Sequence, residues 1–449
     1  MTMTHRAGPR DEARDPARDE ARDGARDKAG LPSLASSDTS LGEIFDWACR
    51  ESLGFVRTGR AGEVPSYWAG LQDRPMFYSR DVCHQALAGH LLGLGAENFV
   101  MLEHFARSAT ERRGFYPLWA FLFDGTPAPI DYHDDDRFVR ETPAAFELAE
   151  TALRLYRWTG DERYRTGAAF ASYYRNLVRE FIPRHDILGT GVAGERGTED
   201  IFAGSPSYNE SREGAGLQVA GDGLSSQWAA LTAIARLVPD AALAAEAQQA
   251  ADITRRVFED SWWDADAQQY LTGVSADRRF TDFAYEPSWF PAVKGLLPAG
   301  ERATAHLDFV ARGMATRPPA NIEAFTYLPE AYLAYDDDAT AMSWIRHLAD
   351  SRSDYPEVPF TLVQHLALGL TGLEPAWDGA LQTRSHVHDQ WIQVDDVPVG
   401  PARVSIRHEG QEASTLTVVA GQPVRWSALV GGRTEHHVVR AGESVRVTA

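Results

Sequence analysis

Hydrophobic positions between Leu41 and about Leu373 recur at the three- and four-residue spacing of α-helices. Two kinds of helix are predicted. One kind is apolar on nearly every face, as in Asp81–Leu94 and Gly223–Leu237, and must be buried on most sides. The other kind is amphipathic, as in Ala241–Phe258, where the apolar residues form one stripe. The two kinds alternate along this part of the chain.

The alternation predicts a ring of helical hairpins. Buried-type helices are expected to start near residues 81, 141, 223, 286, 323 and 359, and amphipathic helices near residues 41, 96, 161, 240, 299 and 337. Alternating inner and outer helices of this number describe an (α/α)6 barrel. Short turns join each inner helix to the next outer one, whereas the long connections all precede inner helices. Long loops gathered at one end of a rigid scaffold favour a functional site there.

Both ends of the chain depart from the helical pattern. Residues 1–40 repeat an Ala-Arg-Asp unit with almost no bulky apolar residue, which predicts a disordered tail. Residues 376–449 form short alternating runs separated by Gly and polar turns, which predicts a small β-sandwich-like appendage. Residues 41–375 are then the barrel, and the fold class is mainly α.

Charge and composition narrow the possible partners. The formal net charge is −20, from 64 acidic and 44 basic residues, and this balance repels nucleic acids and anionic membranes. Because no apolar run suits a secretory leader or a membrane span, a cytoplasmic location is expected. The two cysteines, Cys49 and Cys83, form no disulfide framework and no metal-ligand spacing. The sequence indicates no cofactor, and the pattern leaves the oligomeric state open.

An acidic residue stands at or near the predicted start of every inner helix. A carboxylate at a helix N-terminus is stabilised by the helix dipole, so a capping role is the alternative for each one. If the ring closes, however, these N-termini meet at one mouth. A protonated and an ionised carboxyl facing each other there would suit the cleavage of a glycosidic bond. The six acidic residues are Asp81, Glu141, Asp222, Glu286, Glu323 and Glu357.

Aromatic residues accompany these acids along the chain. Their rings can stack on the apolar faces of sugars, although each could equally belong to the hydrophobic core. The candidates for a sugar-binding role are Trp68, Tyr132, Trp228, Trp289, Tyr327 and Tyr355.

Three segments resemble the six-hairpin glycosidase superfamily, which includes glucoamylases, trehalases, processing α-glucosidases and α-rhamnosidases. They are MFYSRDVCHQALAGHLLGL at 76–94, AGDGLSSQWAALTAIARL at 220–237 and SDYPEVPFTLVQHLALGLTGL at 353–373. The resemblance covers about residues 41–375 and implies an (α/α)6 barrel that acts on carbohydrate. The Glu-(Ser/Thr)-Gly-x-Asp stretch of trehalases and processing glucosidases does not occur in this sequence.

The resemblance also implies catalytic roles. In several members the general acid lies in or just after the loop before the third inner helix, and the general base lies in the loop before the last one. Carried onto this sequence, Glu210 or Asp222 is the acid and Glu357 is the base. Such a pair implies an inverting mechanism, with the carboxyls about 6.5–9.5 Å apart to admit a water. Substrate binding is assigned to Arg80, Asp81, His84, Glu141 and Glu323, together with the six aromatic candidates.

The expected function is therefore an inverting, exo-acting glycoside hydrolase for a small sugar or oligosaccharide. One alternative is a sugar epimerase or isomerase, which would use paired histidines, and His84, His133 and His365 lie near inner-helix starts. Another is a non-catalytic carbohydrate-binding protein. The acidic run His133–Asp136 is interpreted as a solvated turn, so no metal site is expected.

Overall fold

The computed structural model describes residues 30–71, 73–197, 200–208 and 216–449. Two coats of helices alternate along the described chain, as the hydrophobic pattern predicts. The inner helices are Ser79–Leu91, Thr142–Thr159, Gly221–Leu237, Glu286–Val293, Leu328–Leu333 and Glu357–Gln364. The outer helices are Thr39–Gly54, Gly95–Ser108, Glu162–Thr166 with Ala168–Asn176, Ala241–Arg256, Glu301–Thr316 and Asp338–Ser351.

The inner helices form a closed ring. The first four each pack against the next one in sequence. The fifth and the sixth meet through two turns: the 3-10 turn Ile322–Tyr327, which precedes the fifth, and the π turn His365–Gly369, which follows the sixth. The sixth, Glu357–Gln364, then packs against the first, Ser79–Leu91. The prediction of an (α/α)6 barrel with a small C-terminal β-domain is confirmed.

Local sequence explains the difference between the two coats. The third inner helix buries Leu224, Leu231 and Ile234 completely, because it has ring neighbours on both sides. The outer helix Ala241–Arg256 buries one stripe only, and Asp240 caps its start by accepting from the backbone N–H groups of the next turn at 3.1 Å.

Short strands occupy the long connections before the inner helices. They pair locally as hairpins or small sheets and therefore stiffen the loops at that end of the barrel. These strands are Met76–Tyr78 with Ala120–Leu122, Tyr132–Asp134 with Arg137–Phe138, Trp263–Asp264 with Gln269–Tyr270, and Val219–Ala220 with Gly273–Val274 and Arg279–Phe280.

Two sheets form the C-terminal part. The five-stranded sheet has the order Ser33–Ser36, Trp391–Val399, Ala402–Glu409, Ala413–Ala420 and Ser444–Thr448. The four-stranded sheet has the order Glu374–Pro375, Leu381–Arg384, Val424–Val430 and Arg433–Val439.

The expected tail of residues 1–40 is only partly covered by the structure, since residues 1–29 lie outside the described ranges. For residues 33–40 the prediction of disorder is wrong. Ser33–Ser36 is an edge strand that pairs antiparallel with Trp391–Val399, and the first outer helix starts at Thr39. The strand buries Leu34 against a sheet whose other strands come from the far end of the chain. A tail composition that is poor in apolar residues does not reveal such a partner.

Among the described residues, none of the helices is both long and apolar enough to cross a membrane.

Gly221 opens the third inner helix at a point of close contact with the fourth. A Cβ added there would overlap the backbone carbonyl oxygen of Pro287. Because a backbone atom cannot yield without shifting a helix, we expect Gly221→Ala to lower the free energy of unfolding by about 1–3 kcal/mol. Urea denaturation followed by circular dichroism measures this change. Gly54→Ala is the matched control, since a Cβ at Gly54 has nothing within 4 Å. Equal stability of the two variants would contradict the close approach.

Candidate active site

The N-terminal ends of the inner helices converge, and their acidic residues become buried together. Asp222 and Glu357 have no exposed surface, and the most accessible of the six, Glu286, is 9% exposed. Four of the acidic residues lie in the first turns of their helices: Asp81, Asp222, Glu286 and Glu357. Glu323 lies in the 3-10 turn before the fifth helix, and Glu141 is the N-cap residue of the second, without a capping hydrogen bond from its side chain.

Three of these carboxyls come from neighbouring helices, the fifth, sixth and first. Oxygens of Asp81, Glu323 and Glu357 all lie within 4.8 Å of one another. The Tyr355 hydroxyl is 2.9 Å from Asp81 Oδ1 and 2.9 Å from Glu323 Oε2, so it can donate to either. The Asn321 amide donates to Glu323 Oε2 at 2.8 Å.

Arg80 is the cation of this cluster. Its guanidinium forms an ion pair with Glu323 across the ring, donates to the Tyr208 carbonyl at 3.3 Å, and lies 5.0 Å from the centre of the Tyr208 ring. The first inner helix is thereby tied to the fifth and to the loop that precedes the third.

His84 contacts Glu357 on the same side. Its Nδ1 is hydrogen-bonded to Glu357 Oε1, and its ring stacks on Tyr327 with centroids 3.8 Å apart and an interplanar angle of 4°. Burial lowers the pKa of His84 to about 4 and raises the pKa of Glu357 well above its usual range. The proton of this pair therefore rests on Glu357, which donates it to the neutral imidazole.

The other three carboxyls belong to the second, third and fourth helices. Glu141 accepts from Trp119 Nε1 at 2.8 Å. Asp222 Oδ2 accepts from the Ser207 hydroxyl at 2.8 Å and from the Tyr208 backbone N–H at 2.7 Å. The carboxyl of Glu286 accepts from its own backbone N–H, which lowers its pKa.

Backbone pairing positions the loop that covers Asp222. The Thr142 N–H donates to the Ser205 carbonyl at 2.9 Å, and the Ser205 N–H donates to the Arg140 carbonyl at 3.0 Å. Residues 205–208 are thus fixed to the start of the second inner helix and carry Tyr208 over Arg80.

Burial dominates the electrostatics of the cluster. It raises the pKa of Asp222 to about 7, against the lowering effect of the hydrogen bonds from Tyr208 and Ser207. It raises the pKa of Glu286 to about 8, against the lowering effect of Arg80. Burial, followed by the charge of Glu323, also raises the pKa of Asp81 and of Glu357. Several carboxyls here keep a proton near neutral pH and can donate it.

The three clustered carboxylates raise the question of a metal. Asp81, Glu323 and Glu357 already have partners in Tyr355, Arg80 and His84, and burial raises the pKa of Asp81 and of Glu357. Such a set suits proton transfer. At the rim, Asp134 accepts from the backbone of the following residues and Asp135 pairs with Arg113 at 3.0 Å, which fits the solvated turn expected for His133–Asp136.

Most of the predicted site residues lie in or beside this cluster. They are Arg80, Asp81, His84, Glu141, Asp222, Glu323, Tyr327, Tyr355 and Glu357. Glu210 falls outside the described residues.

Four of the predicted aromatic residues have other surroundings. The Trp68 indole packs on Phe123 and donates to the Leu71 carbonyl. Tyr132 donates to Asp135 at 2.8 Å. The remaining two are Trp289, which is fully buried in the hydrophobic core, and Trp228, which lines a cavity at the opposite end of the barrel.

Sequence reasoning assigned no role to several polar residues inside the barrel. Lys294 pairs with Glu147 and, at 2.7 Å, with Glu150. A signal existed, because Glu147, Glu150, Arg154 and Arg157 fall on one face of a helix whose other positions are apolar.

Comparisons with known proteins agree on architecture. No protein-family model matches this sequence, and no curated protein matches it. A GH78 family rhamnosidase of Bacillus sp. GL1 superposes with a TM-score of 0.56 at 14% identity, over 87% of this chain and 41% of that one. The α-L-rhamnosidase from Aspergillus terreus gives 0.57 at 12% identity, over 93% and 50%. A sialidase gives 0.61 at 11% identity, over 93% and 41%.

The chain therefore spans about half or less of the length of these solved structures. What they share with it is the ring of helices and the C-terminal β-domain. This protein has the fold of the six-hairpin glycosidase-like superfamily.

Proposed function

We propose that the protein is a glycoside hydrolase that removes a terminal sugar from a small glycoside with inversion of configuration. The observation that carries this proposal is the position of Asp222 and Glu357. They start the third and the sixth of six inner helices, which lie on opposite sides of the barrel axis. Opposed, buried carboxyls with raised pKa values are the groups that an acid and a base need on either face of a glycosidic bond.

Asp222 is the proposed general acid. A pKa of about 7 keeps it protonated in a useful fraction of molecules at neutral pH, which is the condition for efficient proton transfer. The Ser207 hydroxyl and the Tyr208 N–H hold Oδ2, so the carboxyl has a fixed orientation. Glu286, whose pKa burial raises to about 8, is the alternative donor.

Glu357 is the proposed general base. A base must be ionised to take a proton from the attacking water, and a raised pKa makes the ionised form a stronger base. The ionised form of Glu357 that acts as the base is favoured by the charge of Arg80, and the hydrogen bond with His84 Nδ1 fixes the orientation of the carboxyl. Asp81, Glu323 and Tyr355 would then bind sugar hydroxyls.

The comparisons support a carbohydrate substrate, since two of the similar structures are rhamnosidases and one is a sialidase. Rhamnosides are for this reason the first substrates to test. The epimerase alternative needs two imidazoles facing the substrate. Within the described residues, His84 contacts Glu357, whereas His133 stacks on Phe202 and His365 is bonded to the Thr326 carbonyl. One histidine among several carboxyls favours hydrolysis.

Removal of the proposed base tests this assignment directly. We expect Glu357→Gln to keep the fold and to lower kcat by about 10²–10⁴-fold on an aryl glycoside, because water is no longer activated. The substrates to start with are aryl α- and β-rhamnosides, glucosides and uronides. Their hydrolysis is measured by the release of the phenol. Asp354→Asn is the matched control, since Asp354 is exposed in the same loop. Sodium azide should restore turnover in Glu357→Gln and yield a glycosyl azide of inverted configuration. Wild-type turnover in Glu357→Gln would exclude Glu357 from the mechanism.

The identity of the general acid is tested by leaving-group dependence. We expect Asp222→Asn to lower kcat by about 10²–10⁴-fold on a substrate with a poor, alkyl leaving group. The decrease should be far smaller on a dinitrophenyl glycoside, whose leaving group needs no protonation. Glu286→Gln is the parallel variant. If Glu286→Gln shows this leaving-group dependence, and kcat of Asp222→Asn falls equally on both substrates, the general acid is Glu286.

The raised pKa of Asp222 also predicts a pH-dependent stability. Folding raises this pKa from 3.8 to about 7, so the folded chain binds the proton more tightly than the unfolded chain over that range. The wild type should consequently lose stability relative to Asp222→Asn as the pH rises from about 4 to about 7. The upper limit is about 4 kcal/mol, at about 1.4 kcal/mol per pKa unit. Urea unfolding of both proteins across this range measures the difference, with Asp354→Asn expected to follow the wild type. Parallel curves for wild type and Asp222→Asn would argue against a protonated Asp222.

A further inference from the structure

A cavity lies at the opposite end of the barrel from the carboxylates. It is bounded by the later turns of the inner helices and by the C-terminal four-stranded sheet, and its volume is about 690 Å³. Cavities that bind small molecules commonly measure about 300–1,000 Å³. Its wall includes Arg154, Arg157, Trp228, His365 and Trp377.

Several polar groups on this wall lack a partner in the described structure. The Arg154 guanidinium makes no hydrogen bond and no ion pair there. Arg157 is paired with Glu374 at 3.2 Å through Nη1, but its buried Nε–H has no acceptor. His365 is fully buried and bonds the Thr326 carbonyl through Nε2 at 2.8 Å, which leaves Nδ1 as an acceptor without a donor.

These groups define the chemistry of a ligand. The two guanidinium groups require acceptors, and His365 Nδ1 requires a donor. A carboxylate could satisfy the arginines but has no hydrogen to donate to His365. A phosphate keeps an O–H at neutral pH and could do both, but its negative charge would lie beside Glu150, Glu330 and Glu374 of the same wall. An ammonium ion could satisfy His365 but not the arginines. A hydroxyl group both donates and accepts, so several hydroxyls on one molecule can satisfy the whole set.

The charge of the wall points the same way. Lys294 is paired with Glu147 and Glu150, Arg157 with Glu374, and Glu330 accepts from Gln364. Because acidic and basic side chains largely balance each other, a neutral ligand suits the cavity better than an ion.

Aromatic surface completes the site. The Trp228 and Trp377 indoles form part of the wall, and Trp377 is 40% exposed. Guanidinium groups lie over both rings, Arg255 over Trp228 at 4.7 Å and Arg157 over Trp377 at 4.2 Å. The indole surface that they leave uncovered can pack against the apolar C–H groups of a sugar ring. We propose that this cavity is a second carbohydrate site, which binds a small neutral polyhydroxyl molecule, a monosaccharide or a disaccharide, through Arg154, Arg157 and His365.

The proposal does not depend on the chemistry at the barrel mouth. A separate void of about 30 Å³, lined by His84, Tyr327 and Arg154 among others, lies along the axis between the two regions. Binding in the cavity should accordingly persist in Glu357→Gln, where hydrolysis is expected to fail.

The test is a binding titration with the full chain carrying Glu357→Gln, so that no probe is consumed. Rhamnose, glucose, maltose and sucrose are the ring probes, sorbitol is the open-chain probe, and sodium phosphate and sodium acetate are the anionic probes. Isothermal calorimetry and indole fluorescence report the binding. We expect saturable binding of at least one ring sugar, weaker binding of sorbitol, and none of the anions.

Variants in the cavity locate the binding. Arg154→Met should weaken the sugar tenfold or more, and Arg163→Met, on an outer helix at the surface, should leave it unchanged. Trp377→Ala provides a second test that does not depend on how the barrel tolerates Arg154→Met, because Trp377 is half-exposed. Wild-type affinity in both Arg154→Met and Trp377→Ala, saturable binding of an anion alone, or no saturable binding of any sugar would each overturn the proposal.

Discussion

The structure depends on one constraint: six carboxyl groups are brought into a dry interior at the point where the inner helices begin. Water cannot disperse their charge there, so the charge must be cancelled by protons or by cations. Arg80 pairs with Glu323, and the burial of Asp222, Glu286 and Glu357 holds protons on carboxyls that would be ionised in water. The closure of the barrel is therefore also what makes these groups chemically unusual.

The same constraint explains the polar interior below the mouth. Lys294 lies among Glu147 and Glu150 and pairs with both, and burial does not discharge it because these two carboxylates raise its pKa. An inner helix thus has apolar faces toward its neighbours and a narrow polar face toward the barrel axis. Arg154 continues that face into the cavity at the opposite end of the barrel, where Glu150, Glu330 and Glu374 are the charges that act on it.

Much of the fold could be predicted from sequence, because a helix that is buried on all sides and a helix that is buried on one side have different patterns of hydrophobic residues. The inner helices start at Ser79, Thr142 and Gly221, close to the predicted 81, 141 and 223. The clustering of acids followed from ring closure. Other features depend on contacts distant in sequence. The strand Ser33–Ser36 is ordered by Trp391–Val399, and a local pattern cannot distinguish a tryptophan in the core, such as Trp289, from one on a cavity wall, such as Trp228.

One segment, residues 205–208, contacts both Asp222 and Arg80 at the mouth of the barrel. The backbone N–H of Tyr208 donates to Asp222, and the carbonyl of the same residue accepts from Arg80. If residues 205–208 moved away, Asp222 would lose two hydrogen bonds that favour its charged form, but it would also gain water, and burial is the larger of the two effects on its pKa. Opening should hence lower the pKa of Asp222 and release its proton. The proposed acid therefore holds its proton near neutral pH because this segment keeps water away from it.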